Sequence, residues 1–296
     1  MRTKSGSVAR LLLAGLAALT GCAAPQGHAV LVPVTSLSTR AQPPATPETT
    51  VPRPVQAPAP PPRTIDPAAV IAAARAVEPK TTVGVLVVDL VAHTELLSIE
   101  PDRPFHSASL VKLLMAIDAL VRGADEALRA RIGTMLRLSD DGIANALWTR
   151  GGGPDLVART GQAIGLTGTR PPAVPGQWGD VVVTARDVVR IYEYVLTRLS
   201  EPDRALVVGA MAEAPRTAAD GFDQHFGIPA GLPGRPWAIK QGWGNNATDM
   251  VLHSSGLVGV DWRYVVVVLT EHPLRVAWRT AADSVTAAAQ SLAAVL

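Results

Sequence analysis

The 296-residue chain has a single cysteine, Cys22. Beyond it there is no thiol, so the rest of the chain has no cysteine nucleophile. Its six histidines (His28, His93, His106, His225, His253 and His272) include no pair at metal-ligand spacing. The sequence therefore offers no case for a metal. No glycine-rich loop of the phosphate-binding form is present, which argues against a nucleotide cofactor. The formal net charge is only +2, and Lys and Arg are spread along the chain, so nothing points to nucleic acid. Hydrophobic residues make up 48% of the chain. Much of this is alanine, and no apolar run approaches the roughly 18–20 residues of a spanning helix. There is no internal repeat. The expectation is one large domain or two small ones, with no cofactor, no metal and no nucleic-acid partner.

What is present begins at the N-terminus. Arg2, Lys4 and Arg10 form a positive segment, and Leu11 to Leu19 form a short apolar one. Together they read as a secretory signal over residues 1–21. The stretch Leu19-Thr20-Gly21-Cys22 resembles a bacterial lipobox. The resemblance implies cleavage before Cys22 and attachment of several acyl chains, palmitate among them, at that residue. Two or more chains anchor a protein stably, so the expected location is the extracytoplasmic face of the cell membrane. The alternative is a plain signal peptide with an incidental cysteine. Residues 22–64 then read as a tether, with proline-rich stretches such as Ala57-Pro58-Ala59-Pro60-Pro61-Pro62. Such a segment is extended and semi-rigid.

The globular part is expected over residues 65–296. Asp66-Pro67 reads as an N-cap and first helical residue, with a helix to Ala76. Strands follow at Thr82–Leu90 and Thr94–Ile99, joined as a hairpin. A helical series then runs from Ser109 to about Glu213, broken by a Gly/Pro-rich loop at 166–183. Residues 215–235 read as irregular. Three more strands, at Trp237–Gly242, Thr248–Val260 and Trp262–Thr270, precede a terminal helix at Trp278–Leu296. The continuous run Val265-Val266-Val267-Val268-Leu269 suggests a strand buried on both faces. The expected fold is α+β in two lobes: an antiparallel sheet flanked by helices, plus an all-helical lobe, with a cleft between them.

Three stretches carry chemistry. Ser109 and Lys112 sit three residues apart at the start of an apolar helix, so they share a face. A buried lysine loses basicity towards neutrality and can take a serine proton. Ser139-Asp140-Asp141 and Lys240-Gln241-Gly242 follow in order. Each also has a bland reading. A Ser-x-x-Lys spacing arises by chance, Ser139-Asp140-Asp141 is a good helix N-cap, and Lys240 could be a charge that blunts a sheet edge. Trp178, Trp237, Trp243, Trp262 and Trp278 read mostly as core or sheet aromatics, with Trp243 the best placed to line a cleft. His106 reads as a partly exposed loop histidine.

Taken together, the three stretches resemble the Ser-x-x-Lys, Ser-Asp-Asn and Lys-Thr-Gly motifs of the serine β-lactamase and penicillin-binding protein superfamily, and specifically its class A-like branch. Lys240-Gln241-Gly242-Trp243 is also similar to a branch of actinobacterial secreted serine hydrolases. The resemblance implies that Ser109 becomes acylated, Lys112 takes its proton and Ser139 relays a proton to the leaving nitrogen. It implies that Lys240 attracts a substrate carboxylate, with Asp141, Gln241, Gly242 and Trp243 completing the substrate site. Gly242 would let the substrate approach the strand closely. The N–H groups of Ser109 and Trp243 would form an oxyanion hole, worth about 3–4 kcal/mol per donor in a known case. The implied ligand is a β-lactam or a peptidoglycan-stem-like amide.

Four departures from the pattern carry expectations of their own. Asp141 stands where the motif has asparagine; a carboxylate cannot donate to a substrate carbonyl, and it could instead pair with Lys112. Gln241 replaces a threonine. Only thirty residues separate Ser109 from Ser139, about half the class A distance, which implies a reduced helical lobe and a more open cleft. The 166–183 loop lacks the glutamate that activates the deacylating water in class A enzymes, and Asp180 is the acid in its Pro171–Asp180 stretch. Slow deacylation follows. The competing reading is a catalytically eroded domain that binds cell-wall peptides or a partner; a plain structural lipoprotein is a third.

Overall fold

A computed structural model describes residues 65–296. The signal segment, Cys22 and the tether lie outside the described residues. Asp66 caps the first helix, α1 (Pro67–Val77), by accepting from the Ala68 N–H. Strands β1 (Thr82–Asp89) and β2 (Thr94–Ile99) form the antiparallel hairpin expected from their β-branched runs. After a short strand β3 (Phe105–His106) come helices α2 (Lys112–Val121), α3 (Glu126–Leu138), α4 (Asp141–Gly151) and α5 (Pro154–Ile164). Strand β4 (Val182–Val183) pairs with β3. Helices α6 (Ala185–Thr197), α7 (Glu201–Ala212) and α8 (Ile228–Gly231) lead to strands β5 (Trp237–Asn245), β6 (Asp249–Val258) and β7 (Tyr264–Pro273), and to the terminal helix α9 (Trp278–Ser291).

The main sheet is antiparallel, in the order β2-β1-β7-β6-β5. Strand β7 is central, which accounts for its unbroken apolar run. Successive side chains point to opposite faces of a strand. Val266 and Val268 accordingly pack with α1 and α9, while Val265, Val267 and Leu269 pack with the helices of the other lobe. All five are fully buried. Helix α2 is the axis of that second lobe. Its Leu113, Leu114, Met115 and Ile117 are buried, and full burial contributes about 1.5–3 kcal/mol for each such side chain. This is the α+β arrangement expected from the order of elements.

Local details differ from the sequence reading. Ser109 does not stand in the first turn of an α-helix but in a 3₁₀ turn, Ala108–Val111, and α2 begins at Lys112. In a 3₁₀ turn side chains three apart eclipse one another, so Ser109 and Lys112 are stacked more closely than an α-turn would bring them. The 166–183 loop contains a 3₁₀ turn at Trp178–Asp180 and strand β4, and the 215–235 segment contains α8. Strands of two residues and helices of four are too short to show a period in sequence.

Candidate active site

The segment bearing Ser109 is clamped before it turns. His106 is paired with Val182, and the Ser107 N–H donates to the Val181 carbonyl at 2.7 Å. Ala108 then takes a left-handed backbone, φ 44°, and redirects the chain so that Ser109 follows at the head of α2. Hydrophobic neighbours Leu110 and Val111 are buried and fix the turn to the lobe beneath it.

Lys112 is fully buried. Its Nζ lies 2.9 Å from Ser109 Oγ, 2.7 Å from the Ser139 carbonyl, 3.2 Å from Ser139 Oγ and 2.5 Å from Asp141 Oδ1. An ammonium has three protons to donate, so four oxygens within reach exceed what it can satisfy. With the amine neutral, Ser109 can donate to Nζ instead. Burial pulls the Lys112 amine below the ordinary lysine value, and the hydrogen bond to Asp141 pulls it part of the way back. The Asp141 pairing expected from the sequence is therefore formed, but desolvation outweighs it. The Asp141 side chain is 63% exposed, and solvent screening weakens its hold.

Lys240, on β5, approaches the same group from the sheet. Its Nζ donates to Ser139 Oγ at 2.9 Å and to the Gln241 carbonyl at 2.8 Å. Burial lowers its basicity strongly, and the nearby Lys112 charge acts in the same direction. Ser139 thus sits between two lysines, on a left-handed residue (φ 54°) that ends α3. Asp140, not Ser139, caps α4, accepting from the Ile143 N–H at 2.8 Å. The Lys240 carbonyl is held by Ser255 Oγ at 2.8 Å. That uses the one Ser255 hydroxyl proton, so Tyr192, whose oxygen is 2.9 Å from Ser255 Oγ, is the donor there.

One expected contact comes out differently. The Gln241 side chain does not line the cleft. It is fully buried and donates from Nε2 to the carbonyls of Gln224 (3.1 Å) and Phe226 (2.7 Å). Alternation along β5 sends it to the face opposite Lys240. Gly242 lets the nucleophile turn approach β5 closely: a Cβ there would stand 2.9 Å from the Ser107 carbonyl oxygen. Trp243 does line the cleft. Its indole stacks on Phe222 at 4.8 Å and donates from Nε1 to Asp220 Oδ2 at 2.9 Å.

The cleft has a volume of about 440 Å³. Ser109 and Asp141 open onto it, facing Trp243 and the 176–180 part of the loop. That loop brings no glutamate. Trp178 packs its ring 5.1 Å from Lys112 Nζ, a cation–π distance, and donates from Nε1 to Asn145 Oδ1 at 2.7 Å. Asp180 also lines the cleft, with Oδ1 3.7 Å from His106 Nδ1. Sequence reasoning missed Asn145, Asp220 and the cleft position of Trp178. Asn145 could have been found, because it lies four residues after Asp141 on one helix face. Asp220 comes from an irregular segment that carries no periodic signal.

Among the described residues no group of three or more His, Cys, Asp or Glu is placed to hold a metal ion, and no helix is long and apolar enough to cross a membrane.

No protein-family model matches the chain. It is 33% identical over 177 residues to the protein named "Putative lipoprotein LppW" in Mycobacterium tuberculosis and in Mycobacterium bovis. The match spans 56% of this chain and 56% of the curated relatives, so the chain spans about half the length of the relatives it matches. Among solved structures, the β-lactamase from Streptomyces albus G is similar with a TM-score of 0.63 and 20% identity, over 76% of this chain and 96% of that one. A β-lactamase from Burkholderia ambifaria gives 0.60 and 22%, over 75% and 95%. The protein PBP-A gives 0.61 and 19%, over 79% and 97%. The element order, the five-stranded antiparallel sheet and the helical lobe packed on it give this chain the β-lactamase-like fold shared by those enzymes and PBP-A.

Proposed function

We propose that the chain is a membrane-anchored lipoprotein whose domain acylates itself at Ser109 on a β-lactam or a peptidoglycan-stem-like amide and deacylates slowly. The observation that carries the reading is the 2.9 Å contact between Ser109 Oγ and the buried amine of Lys112. Lys112 takes the hydroxyl proton as Oγ attacks the amide carbonyl. The oxyanion is received by the N–H groups of Ser109 and Trp243. Ser139, between the two lysines, passes a proton to the leaving nitrogen, and Lys240 holds the Ser139 hydroxyl in place for that transfer. Deacylation is slow because the loop that reaches the cleft brings no glutamate to activate water, and its one acid there, Asp180, faces His106 at 3.7 Å. The anchor is supported by Leu19-Thr20-Gly21-Cys22 and by the lipoprotein name of the relatives.

The test is intact mass of the full chain in detergent after incubation with benzylpenicillin. A stable adduct in the parent, absent in Ser109→Ala, is the expected result. Rapid Ser109-dependent turnover of a chromogenic cephalosporin would contradict slow deacylation. For the anchor, Cys22→Ala is expected to move the protein from the membrane fraction to the soluble one.

A second reading is favoured by the short Lys112–Asp141 contact, 2.5 Å, which opposes release of the lysine as a base. On it the domain binds cell-wall peptides or a partner without acylation. Absence of any adduct, with retained binding of a D-alanyl-D-alanine peptide, would move the conclusion there.

A further inference from the structure

His253 stands on β6 directly opposite Gly242 in the β5–β6 register, and it is fully buried. Its ring crosses beneath β5 at the point where glycine leaves space: a Cβ on Gly242 would lie 3.2 Å from His253 Cδ2. Two contacts set the ring's orientation. Nδ1 accepts from the Thr270 N–H of the central strand at 3.2 Å, and the ring of Phe105 meets it edge-on at 6.0 Å. An imidazole nitrogen that accepts a proton is unprotonated, so Nε2 carries the hydrogen. Nε2 lies 2.7 Å from the His106 carbonyl oxygen and donates to it.

That carbonyl lies two residues before the left-handed Ala108 and three before Ser109. On its other side the segment is held by the Ser107 N–H bond to Val181. The turn that presents Ser109 is therefore tied at two points, one from the small β3–β4 ribbon and one from inside the main sheet. We infer that His253 is a positioning residue that fixes the height and direction of Ser109 by holding the His106 carbonyl through Nε2–H. This goes beyond the fold and rests on the reading of Ser109 as the nucleophile. None of the three motif stretches contains His253.

Three substitutions separate positioning from packing. Gln places a donor and an acceptor about where the two ring nitrogens lie, Asn is too short to reach the His106 carbonyl, and Leu fills the space without donating. The full chain in detergent is the sample. Two quantities are read: hydrogen exchange of peptides covering residues 105–111, and the rate of Ser109 acylation by benzylpenicillin.

The expected result is that His253→Leu and His253→Asn speed exchange in 105–111 by tenfold or more, with peptides of β1 unchanged. Acylation should fall at least tenfold, and His253→Gln should return both to within about threefold of the parent. Equal exchange in Leu and parent overturns the inference, as does a Gln variant as slow as Leu while folded. If Leu does not fold, the Asn–Gln difference decides. If the parent itself is never acylated, the nucleophile reading fails, and the exchange arm still decides whether His253 holds the turn.

Discussion

Two regions of this molecule bury polar side chains, and they do so in opposite ways. Beneath the cleft, Lys112 and Lys240 converge on Ser139 with more acceptors than a charged amine can use, and one member of the group, Asp141, reaches solvent. In the middle of the sheet, His253, Thr270 and His272 are sealed and mutually hydrogen-bonded, with Thr270 Oγ1 2.8 Å from His272 Nε2. Burial lowers the proton affinity of the groups in both places. The histidines are brought down to about 4, so they are neutral at physiological pH and their hydrogen bonds are those of fixed neutral donors and acceptors. The lysines are pulled away from a much higher value, with Asp141 opposing the fall. Burial in the sheet ends in a structural network. Burial under the cleft leaves a proton without a settled owner, which is the condition proton transfer needs.

The largest effects are expected at the cleft. Ser109→Ala is expected to abolish the penicillin adduct while leaving melting temperature close to the parent; intact mass and calorimetry read both. Lys112→Met keeps the stem but removes the amine, and acylation is expected to fall by about 10²–10⁴, the usual worth of a general base; stopped-flow with a chromogenic β-lactam measures it.

The sheet responds to acid. The folded-state values of His253 and His272 lie below the ordinary 6.5, so the unfolded chain binds more protons between those values. Stability is full above pH 6.5 and falls as pH drops towards 4, by on the order of 3 kcal/mol per histidine. Denaturant midpoints across that window would show it, and a flat profile would refute it.

Smaller effects are expected at Asp141 and at the exposed surface. Asp141→Asn removes the carboxylate that supports the Lys112 proton. The amine's proton affinity drops further, and the acid limb of the acylation pH profile is expected to move to lower pH. An unmoved limb would show that Asp141 does not control the base. Least of all, Arg279→Ala breaks an exposed pair with Asp283, whose side chains are 89% and 53% exposed. Under 0.5 kcal/mol is expected by thermal melting.

Much of this was legible in the sequence because it is periodic or capped. Asp66 caps its helix by a side-chain hydrogen bond, as its place before Pro67 predicts, and Val265–Leu269 announced the central strand. Ser109, Lys112, Ser139, Asp141 and Lys240 could be singled out by type and order, and the fold brings them into one group. Contacts made across the sheet were not legible. Nothing local distinguishes His253 from any other strand histidine until β6 is paired with β5 and Gly242 is found opposite. Gln241 was misassigned because a motif fixes position along a strand, whereas only the strand's facing decides whether a side chain looks into the cleft. Trp178 and Asp220 depend on irregular backbone, where no period exists to be read.

Six described non-glycine residues have positive φ, and two of them, Ala108 and Ser139, flank the nucleophile. Left-handed backbone costs an L-residue roughly 1–2 kcal/mol. Glycine at either position would remove that cost, and the variant would also gain freedom in the unfolded chain and in the turn itself. The two terms oppose each other in stability, so what Ala108→Gly chiefly changes is the order of the turn that presents Ser109, whereas Ser139→Gly also removes the hydroxyl held between the two lysines.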